Sequence, residues 1–291
     1  MSQYLAGISP DVIAQFHLDR LPFGQVTRRP DELMRLDGVR AVVTGGGGGD
    51  LGQAIVHRLA AMGARVVAAD VSLEAATAVA KSAAGRWGAD VSALCMDVTD
   101  WAGAHAAMDE ARGRLGGVDL LVNNAGGALR LHGPFAEQDP EAMRRVINLN
   151  FTGVLFATRA ALTSMLPGGR GRIVNIASEG GKISLDGLAV YNACKSAVIG
   201  FTRNLARELR ETGVSCVAVC PGVMVGPHAL ERLGSTEANA RRAALEESYS
   251  RLTAGRFSLP EEVANVVAFL ASPAGAYVHG TAVSVGGGLS D

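Results

Sequence analysis

The chain has 291 residues, 48% of them hydrophobic and 19% charged, which is enough to bury one large α/β core or two small ones. A formal net charge of −1 and a pI near 6.6 exclude the strongly basic surface that nucleic acid or an anionic membrane would require. No stretch approaches the ~18 apolar residues of a membrane span, residues 1–36 lack the apolar core of a signal peptide, and Cys95, Cys194, Cys216 and Cys220 form neither a CxxC pair nor a metal-ligand set. The expectation is a cytoplasmic protein with reduced thiols, no metal, no nucleic-acid partner and no membrane contact.

Residues 1–36 carry Pro10, Pro22 and Pro30 and a short amphipathic piece around Val12, Ile13, Phe16 and Leu18. They read as an N-terminal extension packed on the domain or on a neighbouring subunit. At Val39 the pattern changes to an apolar, β-branched strand ending at Thr44, followed at once by the glycine-rich turn Gly45 to Gly52 and a helical pattern over Gln53–Met62, with Ile55, Leu59 and Met62 on one face. Glycine suits this place because a backbone without Cβ turns tightly and approaches a pyrophosphate, which then sits on the unpaired N–H groups of the helix N-terminus. A tight turn with no ligand is the plainer alternative, and a P-loop is excluded because no Gly-Lys-Ser/Thr follows.

The second strand, Arg65–Asp70, ends on a carboxylate 18 positions after Gly52. An acid at about that distance accepts hydrogen bonds from the adenosine ribose hydroxyls and repels a 2′-phosphate, so NAD is expected over NADP, although Asp70 can also serve as a cap for the helix Leu73–Ala84. Next come a strand-like run from Ser92 through Asp97 and Val98, a helix Trp101–Leu115, and a strand Val118–Asn123 running into Asn124, Ala125 and Gly126. Strands alternating with helices predict a doubly wound, Rossmann-type parallel sheet of about seven strands in a single domain over residues 37–291, with helices on both faces and the cofactor across the carboxyl ends of the strands.

A long helix is expected from Glu137 to Leu166, with Asn150 unusual among its apolar neighbours because a buried amide needs partners. The strand Gly171–Ala177 then delivers Ser178, and a helix delivers Tyr191 and Lys195 four apart on one face. A phenol titrating near pH ~10 is brought towards neutrality by an adjacent cation, so Tyr191 can exchange a proton with an alcohol or ketone oxygen that the Ser178 hydroxyl also touches. Cys194 reads as a small packing residue under this helix.

In order and spacing these pieces resemble the short-chain dehydrogenase/reductase family over about residues 37–290: Thr44 and Gly45 through Gly52, whose Gly45, Gly49, Asp50, Leu51 and Gly52 are expected at the cofactor, then Asp70, Asp97 and Val98, Asn123 to Gly126, Asn150, Ser178, Tyr191 with Lys195, Pro221 and Gly222, and the tail from Pro260 to Gly287. The resemblance implies hydride transfer between NAD(H) and a secondary alcohol or ketone. It also implies that Tyr191 is the general acid/base, that Lys195 lowers its pKa and holds the nicotinamide ribose, that Ser178 positions the substrate oxygen and that Asn150 supports a proton-relay water. Asp97 is expected near the adenine, and the Asn124 region beside the cofactor. A homo-tetramer or homo-dimer is expected.

Two departures stand out. The glycine turn is one residue longer than the family's, with Asp50 before Leu51 and Gly52, and Gly226 stands where the family usually has Thr, leaving backbone groups of Val223 and Val225 to hold the nicotinamide. A carboxylate at position 50 is unfavourable to a pyrophosphate unless it caps the helix facing solvent. Residues 226–256, with His228, Arg232, Arg241, Arg242, Glu246, Glu247 and Arg256, resemble a substrate lid, and Arg130, His132, Lys182 and His228 are candidates for the pocket mouth. Alternatives are an NADP(H)-dependent carbonyl reductase, a catalytically idle nucleotide-binding regulator, and a non-redox lyase or epimerase on the same scaffold.

Overall fold

Seven strands form one sheet in the order β3-β2-β1-β4-β5-β6-β7, and every neighbouring pair is parallel. This is a computed structural model of the chain, and it describes residues 3–227, 230, 246 and 249–290. The strands are β1 Arg40–Thr44, β2 Arg65–Asp70, β3 Val91–Cys95, β4 Leu120–Asn123, β5 Gly171–Ile176, β6 Val214–Pro221 and β7 Ala282–Val285.

The strands read as continuous apolar runs because both faces of the sheet are covered. Successive side chains point to opposite faces. Ala41 and Val43 of β1 therefore pack with Ile55, Leu59, Val263 and Val267, whereas Val42 between them packs with Met108, Ala111, Ala157 and Leu205. The first layer is made by helices α3 (Gly49–Ala61), α4 (Leu73–Trp87) and α9 (Pro260–Ala271), the second by α5 (Trp101–Leu115), α7 (Gly153–Met165) and α8 (Ala189–Glu208).

The chain runs outward from β1 to β3 and then returns to place β4 on the other side of β1. The connections leaving β1 and β4 thus diverge, opening a crevice above their carboxyl ends. At the opposite end the same two strands are tied by Arg40, whose Nε lies 2.6 Å from Asp119 Oδ2 and whose backbone N–H donates to the same carboxylate. Burial raises the Asp119 pKa, but the hydrogen bonds from Arg40 outweigh it and leave the group below its ordinary value.

Before β1, the short helices α1 (Pro10–Gln15) and α2 (Pro30–Leu33) bury Ile13 and leave Val12 and Phe16 exposed. Arg20 of this stretch makes a 3.0 Å ion pair with Glu211, and Leu36 enters the main core.

The helix expected over Glu137–Leu166 is corrected in two ways. Helix α6 begins at Pro140, because proline suits the first helical position and the Asp139 carboxylate accepts the N–H groups of Glu141 and Ala142. It ends at Ile147, and a π-helical turn over Asn148–Thr152 joins it to α7. The buried side chain of Asn150 sits inside that turn.

Candidate active site

Strand β5 ends beside β4, and its last residues carry the chain to Ser178 in extended conformation, half-buried, its Oγ accepting the Gly180 N–H at 3.1 Å. Helix α8 enters the same space with Tyr191 and Lys195 one turn apart, as their spacing predicts. Lys195 is 3% exposed, and its Nζ donates to the Ile176 carbonyl at 2.9 Å and lies 5.6 Å from the centre of the Tyr191 ring. Ser178, Tyr191 and Lys195 line one cavity of about 280 Å³ together with Gly48 to Gly52, Asn124, Gly126, Gly127, Pro221 and Gly222.

The electrostatics correct one expectation. Burial pushes the Tyr191 phenol up, and the hydrogen bond with Ser178 only partly offsets it. Lys195 does not bring Tyr191 below its ordinary value here. Burial lowers the lysine itself, from 10.5 to about 8, because a charged ammonium in this pocket has lost its water. Tyr191 therefore rests as a neutral phenol, ready to donate.

Asn150 is fully buried, and its amide is satisfied by backbone. Its Nδ2 donates to the carbonyls of Gly127 (2.8 Å) and Val146 (2.9 Å), and its Oδ1 accepts the Gly127 N–H at 2.9 Å. It pins the loop after β4 against the π-helical turn. Gly126 is squeezed between this amide and the lysine: a Cβ there would stand 2.9 Å from Asn150 Oδ1 and 3.1 Å from Lys195 Nζ.

The glycine turn shows why glycine is needed at two positions. A Cβ at Gly52 would meet the Gly45 carbonyl at 2.0 Å, and one at Gly45 would meet the Ala125 Cα at 2.8 Å, so α3 can approach β1 and the loop after β4 only with both side chains absent. Asn124 ties this loop to the turn, its Nδ2 donating to the carbonyls of Thr44 and Gly45, while Thr44 Oγ1 accepts the N–H groups of Asn124 and Ala125. The buried Asp70 carboxylate turns inward: Oδ2 accepts the Gly47 and Gly48 N–H groups at 3.1 and 2.8 Å, and Oδ1 accepts the Ser72 N–H.

Asp70, Asp97, Val98, Asn124, Ala125 and Gly126 line a second cavity of about 570 Å³, which shares Gly48, Gly49, Asn124 and Gly126 with the catalytic one. The two form a continuous strip from Asp70 to Tyr191 over the carboxyl ends of β1 and β4. A dinucleotide fits this strip: its backbone is bare at the glycine turn, and acids stand at the end away from Tyr191.

Other expected residues fall elsewhere. Val223 lines neither cavity; its carbonyl accepts from Ser258, and the Val225 N–H donates to the Ser258 carbonyl at 2.9 Å, so these groups are already paired within the loop. Lys182 donates to Ser284 and Ala282 of β7, His132 packs against Gly187, and Arg130 is exposed, with φ of 62°. None of the three lines the catalytic cavity. Arg256 pairs with Glu262, and His228, Arg232, Arg241, Arg242 and Glu247 lie outside the described residues. Sequence reasoning missed Arg145 and Leu129, which line the cavity beside Asp70; Arg145 belongs to the polar face of a surface helix, and no spacing distinguishes it.

The family model for short chain dehydrogenases matches residues 40–237. Sorbitol dehydrogenase of Cereibacter sphaeroides is 34% identical over 259 residues, spanning 88% of this chain and 98% of its own. A gluconate 5-dehydrogenase from Burkholderia cenocepacia, solved with NADP and tartrate, superposes with a TM-score of 0.81 at 29% identity over 90% of this chain and 99% of its own. A 7α-hydroxysteroid dehydrogenase solved with NADH and a 7-oxo bile acid conjugate gives 0.80 at 29% identity over 90% and 98%. With its seven-stranded parallel sheet in agreement with those matches, the chain belongs to the short-chain dehydrogenase family, oxidoreductases that act on alcohols and ketones.

Proposed function

We propose that this enzyme moves hydride between NAD(H) and a secondary alcohol or ketone, with Tyr191 as the general acid/base. The observation that supports the roles is the convergence of Ser178, Tyr191 and Lys195 on one cavity continuous with the glycine turn. When bound, the nicotinamide supplies the hydride acceptor or donor. In reduction, the neutral Tyr191 phenol gives its proton to the carbonyl oxygen while the Ser178 hydroxyl donates a hydrogen bond to the same oxygen. In oxidation, Tyr191 must first lose its proton, and Lys195, anchored to the Ile176 carbonyl, stands beside the ring with its Nζ 5.6 Å from the ring centre. Asn150 holds the Gly127 segment that forms one wall.

The preference for NAD rests on Asp70, a buried acid among the residues that line the cavity away from Tyr191, its carboxylate held by the Gly47, Gly48 and Ser72 N–H groups. Arg145, a cation that lines the same cavity, is the feature that favours NADP. Turnover of a panel of secondary alcohols with each dinucleotide tests the reading: NAD is expected to support it better, and a clear advantage for NADP overturns the assignment.

The same reading makes the protein a cytoplasmic homo-tetramer or homo-dimer. Burial raises the thiols of Cys216 and Cys220, to about 12 and about 11, which keeps them protonated and unreactive. Residues 1–36 act as an appended segment on the catalytic domain formed by residues 37–291; the substrate lid expected over 226–256 falls largely outside the described residues.

A further inference from the structure

A cavity of about 980 Å³ opens at the end of the sheet opposite to Tyr191. It lies at the amino ends of the strands, with Val39 just ahead of β1, Leu120 of β4, Arg172 of β5 and Ser215 of β6 in its lining. That volume suits a small organic ligand, and the hydride transfer proposed above makes no use of it.

Arg172 is the unusual residue there. It is 7% exposed, and its guanidinium donates to the Ser215 hydroxyl at 2.9 Å and to the carbonyls of Gly275 and Val278 at 3.1 and 2.8 Å. All of these acceptors are neutral. The Nε is buried without a partner, and no carboxylate pairs with this charge among the described residues. Burial holds the guanidinium down to about 10, so it is still a cation at neutral pH. A charge taken out of water calls for a counter-charge; Arg40, at the same end of β1, has Asp119.

The groups around Arg172 leave the balance positive. Asp119 lines the cavity but is held by Arg40 and Arg170, and Asp37 is held by Arg35. His279 offers no free nitrogen, because Nδ1 accepts the Cys216 N–H and Nε2 lies 3.0 Å from the Ala206 carbonyl. Arg210 also lines the cavity, 3.6 Å from Glu211, which is shared with Arg20. Tyr277 completes the lining and is wholly exposed, an aromatic surface open to an apolar group.

We propose that this cavity is a second binding site, for an organic anion whose carboxylate or phosphate balances Arg172, with Arg210 beside it, and whose apolar body lies against Tyr277. The ligand takes no part in hydride transfer. It binds the folded chain and stabilises it.

The test is a calorimetric titration of naphthalene-2-carboxylate, and of inorganic phosphate as the bare anion, into the full chain and the variants Arg172→Met, Arg210→Ala, Tyr277→Ala and Arg145→Ala. Each is accompanied by a thermal unfolding curve and a sedimentation measurement. The parent should bind naphthalene-2-carboxylate and melt at a higher temperature in its presence. Loss of one cation in Arg172→Met or Arg210→Ala should weaken binding by roughly tenfold. Tyr277→Ala should weaken the aromatic anion and leave phosphate as in the parent, and Arg145→Ala, at the other end of the sheet, should change neither. Should Arg172→Met fail to fold for want of its carbonyl contacts, the exposed positions Arg210 and Tyr277 decide the matter. A parent that does not bind naphthalene-2-carboxylate overturns the proposal, as does binding that survives both Arg210→Ala and Tyr277→Ala, or that falls equally in Arg145→Ala. A Tyr277→Ala variant that dissociates an oligomer instead of losing affinity shows that a second copy covers this face, and overturns it as well.

Discussion

Asn150 grips Gly127 on both sides of its peptide chain, accepting its N–H at 2.9 Å and donating to its carbonyl at 2.8 Å. The side chain reproduces the pairing of a strand neighbour, and through it the π-helical turn fixes the wall facing Lys195. Asn150→Ala would leave the half-buried Gly127 N–H and carbonyl without their amide partner, at a cost of up to about 1–3 kcal/mol for each group that water cannot reach. The expected outcome is a lower melting temperature together with a larger fall in kcat than in dinucleotide affinity. Equal losses in both would make the residue merely structural.

Tyr191→Phe keeps the ring and removes the proton. Turnover should fall by roughly 10²–10⁴, the usual size of general acid/base catalysis, while the melting temperature and NADH binding change little. Full turnover in that variant removes the mechanism.

The pH dependence follows from the phenol. Burial raises the Tyr191 pKa, so the protonated form needed for reduction persists across neutral pH and the deprotonated form needed for oxidation appears only under alkaline conditions. Oxidation should therefore climb as pH rises above neutrality while reduction holds steady and then falls. Parallel profiles for the two directions, measured as kcat against pH, would contradict the assignment.

Lys195 gives a stability prediction of definite sign. Its pKa is lowered by burial from 10.5 to about 8. Below that value folded and unfolded chains both carry the proton, and the cost of burying the charge is present in full. Between about 8 and 10.5 only the unfolded chain keeps it, so this contribution to stability rises with pH. The melting temperature of the parent minus that of Lys195→Met should increase from pH 7.5 to 10. A constant difference would mean that the ammonium is not desolvated in the fold.

Asp70 carries a double task. Asp70→Asn should narrow the gap between NADH and NADPH affinities, because a neutral amide no longer repels a 2′-phosphate, and it should also loosen the turn, since the Gly47 and Gly48 N–H groups lose a charged acceptor. Titration of both dinucleotides reads the first effect, and hydrogen exchange of the two glycine amides reads the second.

The strands were legible because a sheet covered on both faces writes itself as apolar, β-branched runs; β2 was read at its observed bounds, Arg65–Asp70. Tyr191 and Lys195 were legible because helical spacing is local. The π-helical turn was not, since the run Asn148–Thr152 looks like unbroken helix until the partners of the Asn150 amide are known. The inward turn of Asp70 depends on segments that meet only after the sheet has formed, and so does the contact between Asp50 and Gly226, where a Cβ would stand 2.6 Å from Asp50 Oδ2. The rise in the Tyr191 pKa was hidden for a related reason: spacing shows that a cation is near, and burial, which decides the sign, belongs to the whole fold.

The reversal of strand order between β1 and β4 has an evolutionary consequence. The residues lining the cavity at Asp70 come chiefly from the segments leaving β1, β2 and β3, whereas Ser178, Tyr191 and Lys195 come from the end of β5 and from α8. The two sets meet only along the seam above β1 and β4. Selection can therefore retune which nucleotide is used without disturbing the proton chemistry, and can exchange one substrate for another while the nucleotide half stays as it is.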